Sequence, residues 1–226
     1  VIGGGPIGME MAQAHRRLGC EVTVIEGLKA LGKDDPELAA IVLERVRAEG
    51  VVIHEGARVV EVVDKSRSTV TVRFETEAGQ DEGTGTHILV ATGRKPNVER
   101  LDLEKAGVAT EKSGIRVDRA LRTTNRRIFA IGDVTGGLQF THVAGYHAGL
   151  VVQTILFRFA GKVNREIVPW ATYTDPELAH VGLSEEEARK KSRRIKVLRW
   201  PYSENDRAQA ERKTAGHVKV VTDRKG

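Results

Sequence analysis

The chain has 226 residues, a formal net charge of +5, 40% hydrophobic and 4% aromatic residues, and one cysteine. That length suits one large or two small domains, and the hydrophobic share is enough for a core of ordinary size. A lone cysteine excludes an internal disulfide or a cysteine metal cluster. The low aromatic content argues against nucleic-acid recognition, and no apolar run reaches membrane-spanning length.

The first eight residues, Val1-Ile2-Gly3-Gly4-Gly5-Pro6-Ile7-Gly8, carry G-x-G-x-x-G. Each glycine has a task. Gly3 turns the chain sharply out of a strand, Gly5 lets a pyrophosphate approach the backbone, and Gly8 lets the next helix pack against the strand. The helix is predicted from Pro6 or Ile7 to Leu18, with proline in the first turn and Gly19 as the stop. Its free N–H groups and positive dipole end face the phosphates. Cys20, in the turn that follows, reads as a small buried filler. The next strand, Glu21–Glu26, ends in an acid 18 residues after Gly8. A carboxylate there accepts hydrogen bonds from the ribose hydroxyls of NAD and repels the 2′-phosphate of NADP, an effect that Lys29 softens. Only Val1 and Ile2 precede the loop, so a longer protein is expected to extend in front of it.

Residues 33–50 read as a second helix, capped by Asp34 or Asp35, with Pro36 in its first turn and Gly50 at its end. Val51–Ile53 is a short buried strand. Arg58–Asp64 and Thr69–Glu75 alternate as a hairpin around a polar turn at 65–68. Residues 78–86 are glycine-rich and polar and read as a loop, and His87–Ala91 returns as a parallel strand. Residues 1–92 thus form a Rossmann-type dinucleotide-binding domain with a parallel sheet and a hairpin insert.

The turn Thr92-Gly93-Arg94-Lys95-Pro96-Asn97 ends that domain. Residues 93–165 hold short strands near Ile115–Val117 and Ile128–Ile131. A long helix follows from His142 to Phe159, with Ala144, Ala148, Val151, Val152, Ile155 and Phe159 as its apolar face. This segment has too few strands to close a core and is expected to complete a sheet begun elsewhere. Residues 166–226 start a third unit, with strands near Trp170–Thr174, Leu178–Val181, Ile195–Trp200 and His217–Thr222. A helix at Ser184–Lys191 runs from Glu185-Glu186-Glu187 into the basic run Arg189, Lys190, Lys191, Arg193, Arg194 and Lys196, a mixed-charge solvated face.

Four stretches together resemble the flavin-dependent pyridine nucleotide–disulfide oxidoreductases, which include dihydrolipoamide dehydrogenase, glutathione reductase and mercuric reductase. They are Gly3–Glu10, Ala91–Asn97, Ile128–Asp133 and Tyr173–Gly182, in family order and across nearly the whole chain. The resemblance implies that 1–92 binds NAD(P), that 93–165 is the C-terminal part of an FAD domain, and that 166–226 begins an α+β dimerisation domain. It implies a homodimer and a small-molecule or protein-bound disulfide substrate, and a cytoplasmic setting fits the lone cysteine. Cofactor contacts are expected from Gly3, Gly5, Pro6, Ile7, Gly8, Glu10, Glu26 and Gly93 for the dinucleotide. Asp133 is expected at the ribityl hydroxyls of FAD. The helix start at Thr141 and His142 would face the flavin pyrimidine edge, chiefly through backbone N–H groups. In relatives a glutamate at the position of Glu10 lies near the flavin–nicotinamide contact; without its lysine partner it reads as a first-turn acid.

Two departures stand out. Pro6 replaces the aromatic gate of many dihydrolipoamide dehydrogenases and, with Pro201–Ala208, looks more like the mercuric reductase branch. The CxxxxC disulfide is absent, and His217, the last histidine, lacks the family's His-Pro context. No catalytic residue is therefore expected in this chain, and no metal site. The parent enzyme would be dihydrolipoamide dehydrogenase-like first and mercuric reductase-like second. The 226 residues alone would be a catalytically incompetent dinucleotide-binding module.

Overall fold

The computed structural model describes residues 1–66, 69–159, 161–192, 194–224 and 226, the side chains of 64–66 excepted. In chain order the elements are α1 (Pro6–Arg17), β1 (Thr23–Ile25), α2 (Pro36–Ala48), β2 (Val52–His54), β3 (Arg58–Ser66), β4 (Thr69–Thr76) and β5 (Gly79–Gly85). Then follow β6 (Thr110–Glu111), β7 (Gly114–Ile115), α3 (Thr141–Phe157), β8 (Trp170–Thr172) and β9 (Leu178–His180). The last are α4 (Glu185–Lys191), β10 (Ile195–Pro201), α5 (Asp206–Ala210) and β11 (His217–Asp223). Contacts divide the chain into two units, Val1–Gly93 with Pro169–Gly226, and Arg94–Val168.

In the first unit a parallel array is built around Ile2. Ile2 bridges Ile25 on one side and Val90 on the other, both parallel, and β1 pairs with β2 in parallel from Thr23↔Val52 to Ile25↔His54. The lateral order is therefore β2, β1, Ile2, Val90. This is the third, second, first and fourth strand in sequence, the doubly wound order whose switch point lies between first and fourth. The strand expected at 87–91 is reduced to this bridge, held by Ile2 N–H to Leu89 O at 2.8 Å and Ala91 N–H to Ile2 O at 2.7 Å.

Successive residues of a strand point to opposite faces, and β1 serves two cores in this way. Val24 is fully buried against Met9, Ala12, Val42 and Val46 of α1 and α2. Ile25 packs with Ala57, Val72 and Phe74, under the antiparallel sheet β3-β4-β5. Each such side chain contributes about 1.5–3 kcal/mol. α2 begins as expected, with Asp35 Oδ1 accepting the Glu37 N–H at 3.0 Å and Pro36 at the first position.

Residues 78–86 are not the expected loop. β5 pairs antiparallel with β4 from Val70↔Gly85 to Thr76↔Gly79. A polar, glycine-rich segment can form an edge strand because its backbone makes the ladder while its side chains stay in solvent. The turn expected at 65–68 includes residues 67 and 68, which lie outside the described residues, as does Arg193 of the basic run. Cys20 is exposed, not buried, because the link from α1 to β1 runs over the surface.

The C-terminal part of this unit docks on α1 and α2 through polar contacts. The buried Gln13 amide accepts from Asp175 N–H at 2.8 Å and donates to Asp175 O at 2.9 Å. Trp170 Nε1 donates to Asp34 Oδ1 at 3.0 Å. β10 and β11 form an antiparallel ribbon, and α4 starts with a capping box between Ser184 and Glu187.

The second unit has its own small core of Val108, Ile115 and Ala130. Its regular strands, among the described residues, are the two-residue pair β6 and β7. The strand expected at Ile128–Ile131 is, among the described residues, only the bridge Arg122↔Phe129. Only the N-terminal part of the expected apolar face of α3 is packed, with Ala144 and Ala148 half-buried. Val143 and His147 are buried, whereas Val152, Ile155 and Phe159 are exposed. The helix meets the 3₁₀ turn Gly132–Thr135, and its C-terminal half leaves apolar surface in solvent.

Candidate dinucleotide and flavin sites

The glycine loop lies at the switch point. Gly3 has φ +103°, and a Cβ there would sit 2.6 Å from Ala91 O. A Cβ on Gly8 would lie 1.9 Å from Gly3 O, so the helix reaches the strand only because this residue has no side chain. Gly5 has φ −73° and nothing within 4 Å of a notional Cβ. The protein itself therefore gives no packing reason for a glycine at 5, and the open space above it fits a ligand that comes close to the backbone. Pro6 occupies the first turn of α1, Ile7 is partly exposed, and the first bond of the helix runs from Met9 N–H to Gly5 O at 2.9 Å. Gly93 stands beyond the fourth strand, at φ +130° and with nothing within 4 Å of a Cβ.

Glu26 follows β1 and is half-buried. Its Oε2 accepts the Gly4 N–H at 2.6 Å and its Oε1 the Leu28 N–H at 2.8 Å. The carboxylate thus ties the glycine loop to the segment after β1 and retains acceptor capacity on both oxygens. Glu10 is not a first-turn acid: the first turn of α1 has none, and its Oε1 accepts the Tyr173 N–H at 2.8 Å.

In the second unit, Asp133 lies in the Gly132–Thr135 turn with its side chain 48% exposed and Arg94 Nη1 3.9 Å away. The turn is tightly set. A Cβ on Gly114 would meet Val134 O at 2.2 Å, and one on Gly136 would meet Ser113 O at 2.8 Å. Arg94, Lys95, Lys112, Ser113, Gly137 and Gln139 line an open recess of about 270 Å³ with a cationic rim. Thr141 and His142 begin α3, both exposed, with the His142 ring stacked on Phe140 at 5.3 Å.

One residue of this region was missed. His147 is 7% exposed, and its Nδ1 accepts the Gly132 N–H at 3.1 Å. Burial, then the charge of Arg165, holds its imidazole below the ordinary value. The signal in the sequence was a second histidine five residues after His142, but helical spacing alone does not say which backbone group it meets.

A parallel α/β unit with a glycine loop at its switch point and an acid closing the second strand defines a Rossmann-type nucleotide-binding protein. The sequence model described as pyridine nucleotide-disulphide oxidoreductase matches residues 1–148, and that described as the dimerisation domain of the same proteins matches 168–226. The chain belongs to the pyridine nucleotide-disulphide oxidoreductase family. It is 38% identical over 227 residues to a mercuric reductase of Bacillus cereus, covering 100% of this chain and 36% of the relative. It is 32% identical over 226 residues to a dihydrolipoyl dehydrogenase of Bacillus subtilis (strain 168), covering 99% and 48%. Among solved structures, HOCl-induced flavoprotein disulfide reductase RclA from Escherichia coli is 33% identical with a TM-score of 0.84, covering 99% of this chain and 51% of that one. The chain thus spans about half the length of these relatives, or less. No helix among the described residues is long and apolar enough to cross a membrane.

Proposed function

We propose that the chain is the NAD-binding part, with a portion of the FAD-binding part and the start of the dimerisation part, of a cytoplasmic flavin-dependent NAD(P)H:disulfide oxidoreductase of the dihydrolipoamide dehydrogenase type. The divisions proposed are 1–92, 93–165 and 166–226. The observation that carries the dinucleotide reading is the Glu26 carboxylate, fixed by two backbone donors beside the open Gly5. When bound, the nicotinamide supplies the hydride and the flavin relays the electrons.

Gly3, Gly5, Gly8 and the first-turn backbone, with Pro6 and Ile7, would cradle the pyrophosphate. Glu26 would accept from the adenosine ribose, and Gly93 would leave room on the far side of the switch point. Glu10, anchored by Tyr173, would stand near the nicotinamide end. Asp133 would accept from the ribityl hydroxyls of FAD, and the backbone at Thr141 and His142 would face its pyrimidine edge. The redox dithiol has no counterpart here, since Cys20 is the one cysteine. It would come from outside these residues, as would the rest of a homodimer and its disulfide substrate.

NADH and NADPH titrations test the assignment. NADH is expected to bind more tightly. Glu26→Gln is expected to narrow the preference by at least about tenfold, since a charge-assisted hydrogen bond is worth about 1.5–3 kcal/mol and the repulsion is lost as well. Tighter binding of NADPH by the unaltered protein would overturn the role given to Glu26.

Pro6 and the 38% identity to a mercuric reductase favour a second reading, a mercuric reductase-like parent. Comparing NAD⁺ reduction by dihydrolipoamide with Hg(II)-dependent NADPH oxidation in the full-length protein separates the two. The first activity alone supports the leading reading, and the second alone overturns it.

A further inference from the structure

The Gly132 N–H is a buried backbone donor, and its partner is the His147 imidazole of the next helix, where a carbonyl usually serves. Gly132 itself stands at φ +70°, and a Cβ on it would press on Ala144 Cβ at 3.0 Å. The turn therefore touches α3 at two points one helical turn apart, Ala144 and His147. Asp133 is the next residue after the bonded amide. We propose that His147 is the positioning residue of the Asp133 turn, and that its proton governs how well this chain holds FAD.

The chemistry follows from the donor and acceptor inventory of imidazole. Nδ1 accepts from Gly132 only when it carries no proton, which places the ring proton on Nε2. A second proton on the ring would turn Nδ1 into a donor aimed at another donor at 3.1 Å. The bond would be lost, and the turn would keep only its packing on Ala144. The charge that acts on the ring works in the same sense. Arg165, from the 3₁₀ turn Arg165–Ile167, opposes protonation. Asp133 is turned toward Arg94 at 3.9 Å, and the neighbouring Tyr146 ring lies 5.9 Å from the imidazole.

The sign can be stated. The folded chain takes up the proton at lower pH than free imidazole, whose ordinary value is 6.5. The ordered turn is thus favoured above that value and is lost as pH falls through the depressed value of the folded state. The proposal rests on the reading that Asp133 holds FAD, and the test keeps the two apart.

Two measurements are needed. In the full-length protein with ¹⁵N-labelled histidine, NMR should show His147 as the Nε2–H tautomer, titrating below free histidine. The Gly132 amide signal should move with the same midpoint. FAD is then titrated into flavin-stripped protein between pH 7.5 and 5, followed by flavin fluorescence. Affinity should weaken by about tenfold toward low pH, the worth of one hydrogen bond. His147→Gln, which keeps an acceptor but no titrating proton, should retain affinity and flatten the profile. His147→Leu should bind weakly at every pH. A Gly132 amide that does not follow His147, or a His147→Gln profile identical to the unaltered one, overturns the role of His147 alone. Full FAD affinity in Asp133→Asn at pH 7.5 overturns the Asp133 reading, and the proposal with it.

Discussion

Gly8→Ala is expected to destabilise the first unit by about 3 kcal/mol, at the upper end of what forced overpacking does, and to abolish measurable dinucleotide binding. The added methyl would lie 1.9 Å from Gly3 O and 3.0 Å from Gly3 C, and both are backbone atoms that no rotamer change can move aside. Relief requires α1 to slide away from the strand. That movement breaks the packing of fully buried Met9 and Ala12 against Val24 and spreads the glycine loop. Gly5→Ala is the informative companion. Its methyl meets nothing within 4 Å and its φ of −73° suits any residue. Stability should change by less than about 1 kcal/mol, because only the N-cap preference is touched. Dinucleotide affinity should nevertheless fall, since the methyl enters the space assigned to the pyrophosphate. Thermal melts and NADH titration of the two variants check this. Equal affinity in Gly5→Ala and the unaltered protein would remove the cofactor role from Gly5.

Lys219→Met is expected to lower stability by about 3 kcal/mol, the lower end for breaking a buried ion pair by removing one partner. For a chain of this size that corresponds to a fall in Tm of roughly 6–12 °C. Lys219 is 6% exposed, and its Nζ lies 2.8 Å from Asp35, 2.9 Å from Glu37 and 2.9 Å from Glu185. Burial works to lower its pKa. The hydrogen bonds from Asp35, Glu37 and Glu185 outweigh that and hold it above the ordinary lysine value. Without the ammonium, Asp35 at 7% exposure is left as a buried carboxylate beside two others.

The pH dependence distinguishes this from a general packing loss. Chiefly through its hydrogen bond to Arg199, and also through Lys219, Glu37 is held at about 2 against an ordinary 4.5. Its contribution is therefore present above pH 4.5 and disappears as pH falls toward 2. Glu185 is held below the ordinary carboxylate value first by its hydrogen bond to Lys219. The gap between Lys219→Met and the unaltered protein should therefore be full at neutral pH and shrink as pH falls below about 4.5. A gap that stays constant from pH 7 to 3.5 would assign the loss to packing instead. Arg199→Met removes a side chain that is 45% exposed, and it should matter by less than about 1 kcal/mol, as surface pairs do.

The elements near the amino terminus were the most legible. The start of α1 at Pro6, the Asp35 cap of α2 and the alternation of β3 and β4 are local signals, written within a few residues of where they act. The parallel sheet was also expected from a glycine loop ahead of a βαβαβ pattern, while its lateral order came only from the pairing of Ile2 with Ile25 and Val90. The glycine residues of the loop split into two kinds that sequence spacing treats alike. Gly3 and Gly8 are required by atoms of the chain itself, and Gly5 is not.

The misreadings share one cause. β5 looked like a loop because its side chains are polar, although its backbone had a partner in β4. Val152, Ile155 and Phe159 looked like part of a packed helix face, but they are exposed, and the contacts of α3 with the Gly132–Thr135 turn lie at Ala144 and His147. Glu10 read as an acid placed by the helix dipole, whereas its partner Tyr173 lies 163 residues away.

The sequence by itself determined the fold class and the family, because a glycine that must let a helix pack on a strand and an acid that must close a strand are steric and chemical demands on single positions. Only the tertiary structure decided that Lys219 joins three carboxylates and that His147 accepts the Gly132 N–H. Those bonds join separate secondary-structure elements, so no local pattern of charge or periodicity encodes them. They exist only once packing has brought a donor and an acceptor together and removed the water that would otherwise satisfy each.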